Sequence, residues 1–487
     1  MKKIFSLIFI SCFVLTSCED ELDINTNPNT PEDINSGLAL TSAEGSVATI
    51  IGGDFFNLGG MLAQYYTQSP GAGQYDNIDQ YNINTDYANR PWTELYAGAL
   101  NDLQFVQDRS TENAETGTYL IATILKAYTF QYLVDVFGDV PYEEALLGND
   151  NIQPSLTPGA DIYTDLIATV NDALAQYEAD PVASDVDKQD LIYGADMEKW
   201  IQFANTLKLK MYLRMAYTSQ ADGSAVTALI AQDNFITEDA KFDAYADALN
   251  KRNPFYDVQI DRLGDVNTVA SNSLLEFYNR NNDPRVSEVY RQNNADAYVG
   301  IDQGFGLDAS LGGTLALDYS RPKIEATTPV YFMTVTESNF LQAEALLRYA
   351  GGAGVENKYN EGVAQSFSLY GVLSESSAFT GAGGEYEYSA TGDVEADLEQ
   401  IIVQKWAALA NINNIEAWIE TKRTGYPILT TVDSPLYEEG RRIVSLASVL
   451  PGDQIPFSIF YPDNEVQRNQ NVTQKAGLTE KVWWNQR

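Results

Sequence analysis

The 487-residue chain contains no histidine, and its only two cysteines, Cys12 and Cys18, lie in the first eighteen residues. Catalysis by serine–histidine or cysteine–histidine pairs is therefore excluded, as are zinc and haem sites built on imidazole. Positive charge is scarce too. Thirty Lys and Arg stand against 68 Asp and Glu, a net charge of −38, which repels phosphate backbones and argues against nucleic acid as a partner. What the chain does have is apolar and aromatic side chains: 44% hydrophobic residues, including 30 tyrosines, with only 20% charged. That composition supports a packed core and excludes general disorder. Aromatic wealth without nucleophile machinery points to binding rather than chemistry, with no cofactor expected.

Lys2 and Lys3 precede an almost continuous apolar run from Ile4 to Leu15. The run is shorter than the roughly 20 residues a membrane-spanning helix needs, and it has the order and length of a secretory signal. Leu15-Thr16-Ser17-Cys18 follows and looks like a bacterial lipobox, in which Cys18 is lipidated and becomes the mature N-terminus. Residues 1–17 are thus expected to be a lipoprotein signal peptide. Its removal takes away Cys12, so no intramolecular disulfide can form. It leaves 28 basic against 68 acidic residues, a charge of −40. Residues 18–36, with Glu19-Asp20-Glu21 and Asn27-Pro28-Asn29, read as a lipidated terminus and extended tether that holds a globular body off the membrane. The acidic run resembles the surface-export signal of Bacteroidetes lipoproteins.

Residues 37–487 read as a single α-helical domain, with no further segment expected to span a membrane. In 119–137, Ile121, Ile124, Leu125, Tyr128, Tyr132 and Val136 form one apolar stripe. Gly138 and Pro141 end that helix, and a second helix is expected at once in Tyr142-Glu143-Glu144-Ala145-Leu146. Helix, short turn and helix is the grammar of a tetratricopeptide unit. The pattern returns in Asn339–Arg348, broken at Gly351-Gly352-Ala353-Gly354 and restarted at Tyr359. Trp200, Phe203, Leu207 and Met211 form another stripe, and Leu398, Ile402, Trp406 and Leu409 pair with Ile415, Trp418 and Ile419. The expected fold is mainly α: a tetratricopeptide-like scaffold with helical pairs around 95–150, 160–216, 330–372 and 395–425. Between them, 66–91, 251–268, 292–329 and 375–392 are rich in Gly, Asn, Asp, Ser and Tyr. Loops of that length in a compact body are usually functional or disordered, and their aromatics favour function.

Several blocks then match one family. Trp200-Ile201-Gln202-Phe203-Ala204-Asn205-Thr206-Leu207-Lys208 resembles the Trp-x-x-Phe-Ala-Asn-Ser-Leu-Lys signature of SusD/RagB nutrient-binding outer-membrane lipoproteins, with Thr206 in place of the usual Ser. Asp135-Val136-Phe137-Gly138-Asp139-Val140-Pro141-Tyr142 is similar to that family's Asp-x-x-Gly-Asp-x-Pro-Tyr turn. Asn282-Asp283-Pro284-Arg285, Glu337 to Ala345, Gln404-Lys405-Trp406 through Trp418, and Arg423-Thr424-Gly425-Tyr426-Pro427 look like its later blocks, in the same order. The resemblance runs from the lipobox to about residue 470. It implies a lipid-anchored body on the outer face of the outer membrane that captures oligomeric nutrients. It also implies a partner, a SusC-like TonB-dependent transporter, and no catalytic activity.

The matched motifs themselves read as architecture. Trp200, Trp406 and Trp418 lie on helical stripes, and Asn205 and Arg423 suit hydrogen bonds to turn carbonyls in a buried scaffold. Ligand contact is expected from the loops: Tyr75, Asp76, Asn77 and Tyr81, interleaved with amides and carboxylates. An aromatic platform beside hydrogen-bonding groups suits the apolar face and hydroxyl rim of a sugar, and serves a peptide equally. Trp92, entering a helical run, reads as core. A second candidate surface carries Tyr298, Phe305 and Tyr319 among glycines, and a weaker one Tyr386 and Tyr388. No metal-binding spacing is present; Asp185-Val186-Asp187 reads as a solvated turn. Two other functions stay open: a lipid-anchored glycoside hydrolase working with two carboxylates, and a tetratricopeptide adaptor for another protein.

Overall fold

The computed structural model describes residues 35–311 and 315–487. The expected signal peptide, Cys18 and nearly all of the tether lie outside the described residues. Asn35 opens the body as an N-cap, its side chain accepting from the Gly37 N–H at 2.6 Å. It starts α1 (Ser36–Ile51), followed by α2 (Asp54–Leu62). Three contiguous helical segments, Asn89–Thr93, Glu94–Leu100 and α3 (Asn101–Asn113), lead into α4 (Thr116–Phe137). Next come α5 (Gly159–Ala179), α6 (Met197–Arg214), α7 (Gly223–Gln232) and α8 (Asn272–Arg280). The last third holds α9 (Val335–Tyr349), α10 (Val355–Leu369), α11 (Val394–Ala408) and α12 (Asn414–Thr424).

Helices pack as consecutive pairs: α4 on α5, α6 on α7, α9 on α10 and α11 on α12. The fold is thus the helical-pair scaffold expected from the periodicities. The expected helix at Tyr142–Leu146 does not form. Those residues make turns between the short strands β2 (Val140–Pro141) and β3 (Leu156–Thr157), and the true partner of α4 begins only at Gly159. Six residues trapped between Pro141 and Gly148 cannot repay the cost of nucleating a helix. Leu146 sits in the left-handed region at φ 62° and closes the turn instead.

The stripe expected on α4 is also too narrow a description. Twenty of its 22 residues are buried, because α3, α5, α6 and α1 surround it. An all-round apolar helix is what a helix at the centre of a large body should be. By length and composition α4 is even apolar enough to cross a membrane, contrary to expectation. Its near-complete burial marks it as a core helix.

The family-like blocks converge on a lattice of buried charge. Arg214 (α6) reaches Asp135 (α4) at 3.1 Å and Glu416 (α12) at 2.8 Å, and also pairs with Glu420. Lys210 meets Glu337 (α9) at 2.7 Å, and Lys405 (α11) meets Glu420 at 3.0 Å. Arg423 closes the lattice on Glu344 at 2.6 Å and Glu420 at 2.7 Å. It therefore binds carboxylates as well as the Leu213 carbonyl, while Asn205 donates to the Asn234 carbonyl as expected. Removing such charges from water is costly, so they persist only when fully paired, and pairing dictates which helices may meet. Trp200, Trp406 and Trp418 are buried, as expected. Elsewhere α2 crosses α12 so closely that a Cβ on Gly59 would lie 2.4 Å from the Asn414 backbone.

Candidate functional site

Two of the four loop-rich segments meet at the junction of α1 and α2. There a cleft of about 560 Å³ opens, with Tyr75, Tyr87 and Arg90 from one loop and Arg252, Asp257, Gln259 and Arg262 from the other. Asp54, Asn57 and Phe255 complete its floor. The second segment is not irregular throughout: Tyr256–Arg262 forms a wide helical turn, opened by the Asn253 carboxamide, which accepts from the Phe255 and Tyr256 N–H groups.

Tyr75 is held in place from below. Its backbone N–H donates to Gln68 Oε1 at 2.7 Å, and Gln68 belongs to β1 (Tyr66–Gln68). The buried Asp79 carboxylate braces that strand by accepting from Thr67 Oγ1 and the Gln68 N–H, both at 2.6 Å, and from Gln303 Nε2 at 2.6 Å. Burial pushes the Asp79 carboxyl up to about 6 despite these bonds. Across the cleft Gln259 Nε2 donates to the Tyr75 hydroxyl. Tyr87 donates its hydroxyl to the Asp54 carbonyl at 2.6 Å. Burial holds both phenols far above their usual range, so they stay neutral donors and acceptors.

Charge in the cleft is internally matched. Arg90 meets Asp54 at 2.6 Å, Arg262 meets Asp257 at 2.6 Å, and Arg252 meets Asp247 at 2.7 Å and Asp261 at 2.8 Å. Burial raises the Asp54 carboxyl, and Arg90 draws it back down. The cleft thus offers two tyrosine rings, one phenylalanine, and a dense set of amide and ion-paired groups.

Of the residues expected to bind ligand, only Tyr75 lines this cleft. Asp76 and Asn77 follow it on a short helical turn and are half-buried, but neither lines the cleft. Tyr81 is a core residue at 3% exposure, its hydroxyl accepting from the Ser445 N–H; a positive φ of 54° turns it inward. Phe305 and Tyr319 pack on Val269, Ile301 and Ala316 and pin the glycine-rich segment to the body. Tyr298 is half-buried against the main core and also stays outside the cleft. Tyr386 and Tyr388 are buried, Tyr386 donating to Asp283 at 2.6 Å. Trp92 is core, as expected.

Asp54, Asn57, Arg252, Asp257, Gln259 and Arg262 escaped the sequence reading. The charged run Arg252 to Arg262 around Phe255-Tyr256 was the available signal, since it pairs aromatics with charge as the 75–87 loop does.

Comparison with known proteins places this architecture. A family profile described as "Starch-binding associating with outer membrane", the SusD-like type, matches residues 28–444. No curated protein matches significantly. Among solved structures, a SusD homolog from Bacteroides uniformis superposes with a TM-score of 0.75 at 23% identity, covering 92% of this chain and 99% of that one. A SusD/RagB family protein from Bacteroides thetaiotaomicron gives 0.71 at 22% identity, covering 93% and 99%. A chitin-binding SusD homolog from Flavobacterium johnsoniae gives 0.75 at 19% identity, covering 92% and 98%. With the profile spanning well over half of its length and the helical scaffold shared end to end, the chain belongs to the SusD/RagB-like family.

Proposed function

We propose that this protein is a cell-surface lipoprotein that captures an oligosaccharide in the Tyr75–Tyr87 cleft and passes it to a SusC-like TonB-dependent transporter. The observation that carries the reading is the cleft itself: half-buried tyrosine rings beside fixed amides and charges, in a volume of about 560 Å³. Tyrosine presents an apolar ring and a polar tip at low entropic cost, which matches the two faces of a pyranose. The description of the family and the chitin-binding relative support a glycan over a peptide. Anchoring through Cys18 and placement on the outer face follow from the lipobox and the acidic run after it.

Binding without turnover is the function this cleft supports. Its two carboxylates, Asp54 and Asp257, are each held on an arginine rather than poised as an acid–nucleophile pair. Calorimetric titration of the mature protein with oligosaccharides and with peptides tests the proposal. Saturable glycan binding is expected; peptide binding alone, or none of either class, overturns it. Co-purification with a barrel partner from outer membranes tests the transporter assignment separately.

A further inference from the structure

Three residues lining the cleft carry buried acceptors that meet no donor among the described residues: Asn57 Oδ1, Asp257 Oδ1 and Gln259 Oε1. Asn57 and Gln259 are 4% and 5% exposed. Buried acceptors left empty cost free energy, so three around one cleft mark places for donors brought from outside. The Gln259 amide meets the Tyr75 hydroxyl through Nε2, and its buried Oε1 meets no donor among the described residues. Asp257 spends Oδ2 on Arg262 at 2.6 Å and keeps Oδ1 unmet.

We infer that the cleft selects an uncharged, hydroxyl-rich oligosaccharide whose hydroxyls donate to Asn57, Asp257 and Gln259, and that it rejects acidic sugars. The inference rests on the glycan reading above and adds the charge class of the ligand. A hydroxyl supplies the missing donor, whereas a carboxylate or sulfate supplies only more acceptors. The three arginines do not reverse this preference, because Arg90 and Arg262 already hold Asp54 and Asp257, and Arg252 holds Asp247 and Asp261. An anionic guest that reaches one of those guanidiniums sits against the carboxylate already held there and is repelled by it. The chain's −38 charge adds a repulsive field in the same direction.

The test titrates the full mature chain with neutral oligosaccharides and with uronate-bearing or sulfated oligosaccharides of equal length. Neutral sugars are expected to bind and the anionic ones to bind at least about tenfold more weakly. Gln259→Met, which keeps shape but removes both the Oε1 acceptor and the Nε2 bond to the Tyr75 hydroxyl, is expected to weaken neutral binding about tenfold. Asp257→Asn keeps an acceptor but removes the charge, and is expected to narrow the gap between the two classes. Thermal melts of both variants establish that they fold. Equal or tighter binding of anionic sugars overturns the inference while leaving glycan capture intact, as does unchanged binding by folded Gln259→Met. Failure of every sugar removes glycan capture itself, and this selectivity with it.

Discussion

Arg214 on α6 clasps Glu416 on α12 through both carboxylate oxygens, at 2.8 and 2.9 Å, across 202 residues of chain. The pair sits where two family-like blocks meet, and neither side chain is exposed beyond 1%. A guanidinium in a fixed fork suits a carboxylate better than any other cation.

Arg214→Met leaves Glu416, Glu420 and Asp135 buried without their shared cation. Breaking a buried pair from one side costs about 3–5 kcal/mol. A fall of that size in urea-unfolding free energy is expected, with an unchanged slope; a loss below about 1 kcal/mol contradicts the role given to the lattice.

The tyrosines of the 75–87 loop should separate by site. Tyr75→Ala and Tyr87→Ala are expected to lower glycan affinity about tenfold or more with little change in melting temperature. Tyr81→Ala is expected to do the reverse. It empties a core position and costs about 3 kcal/mol or more. Calorimetry beside thermal melts reads both effects.

Glu44 gives a pH signature. It is buried beside Asp190, whose oxygens already accept from the Ile192, Tyr193 and Ala195 N–H groups and from Trp200 Nε1. Burial, then the Asp190 charge, hold the Glu44 carboxyl well above its usual range. The folded state therefore binds this proton more tightly than the unfolded state. Its contribution is fully present below the ordinary glutamate value of about 4.3 and is lost as pH rises through the raised value. Glu44→Gln mimics the protonated form. Relative to the parent, its melting temperature should rise progressively from pH 4 to pH 8, and a constant offset would contradict the assignment.

Gly59→Ala tests the crossing of α2 and α12. The added methyl meets the Asn414 backbone, which cannot rotate away. Overpacking of this kind costs about 1–3 kcal/mol, measurable as a shifted unfolding midpoint. Glycan affinity per folded molecule should stay unchanged, since Gly59 does not line the cleft.

Cys18→Ser tests the anchor. The parent protein is expected in the membrane pellet with an acylated N-terminal cysteine by mass spectrometry, and the variant in the soluble fraction. Retention of the variant in the pellet overturns the lipobox assignment.

Which of these features could be read from the chain depended on range. The end of α4 was legible because Gly138 stops a helix locally, and the break between α9 and α10 because Gly351 to Gly354 interrupts the chain, although α10 restarts at Val355, four residues before the expected Tyr359. The turn at 142–147 misled because Tyr-Glu-Glu-Ala-Leu has helical composition, while the ladder that forbids it involves Leu156 and Thr157. Lys210, Arg214 and Glu416 gave no hint of burial, since charged residues on helices ordinarily face water. Tyr75 and Tyr81 are six residues apart in one loop and look alike in composition. Only the left-handed backbone at Tyr81 and the distant Ser445 separate a ring that lines the cleft from a core ring. Half of the cleft comes from residues 250–262, whose approach to Tyr75 is a tertiary fact with no local trace.

The central helix carries a cost outside the folded state. Thr116–Phe137 is shielded only because four neighbouring helices surround it. Until those neighbours are in place, a lipid bilayer is as good a solvent for this segment as the protein's own interior. For a chain exported as proposed above, passage past a membrane would therefore be a race between folding and lateral escape into lipid. Lys126 near the middle of α4, with Gln131 and Asp135 toward its C-terminal end, are the residues that make the bilayer the poorer choice.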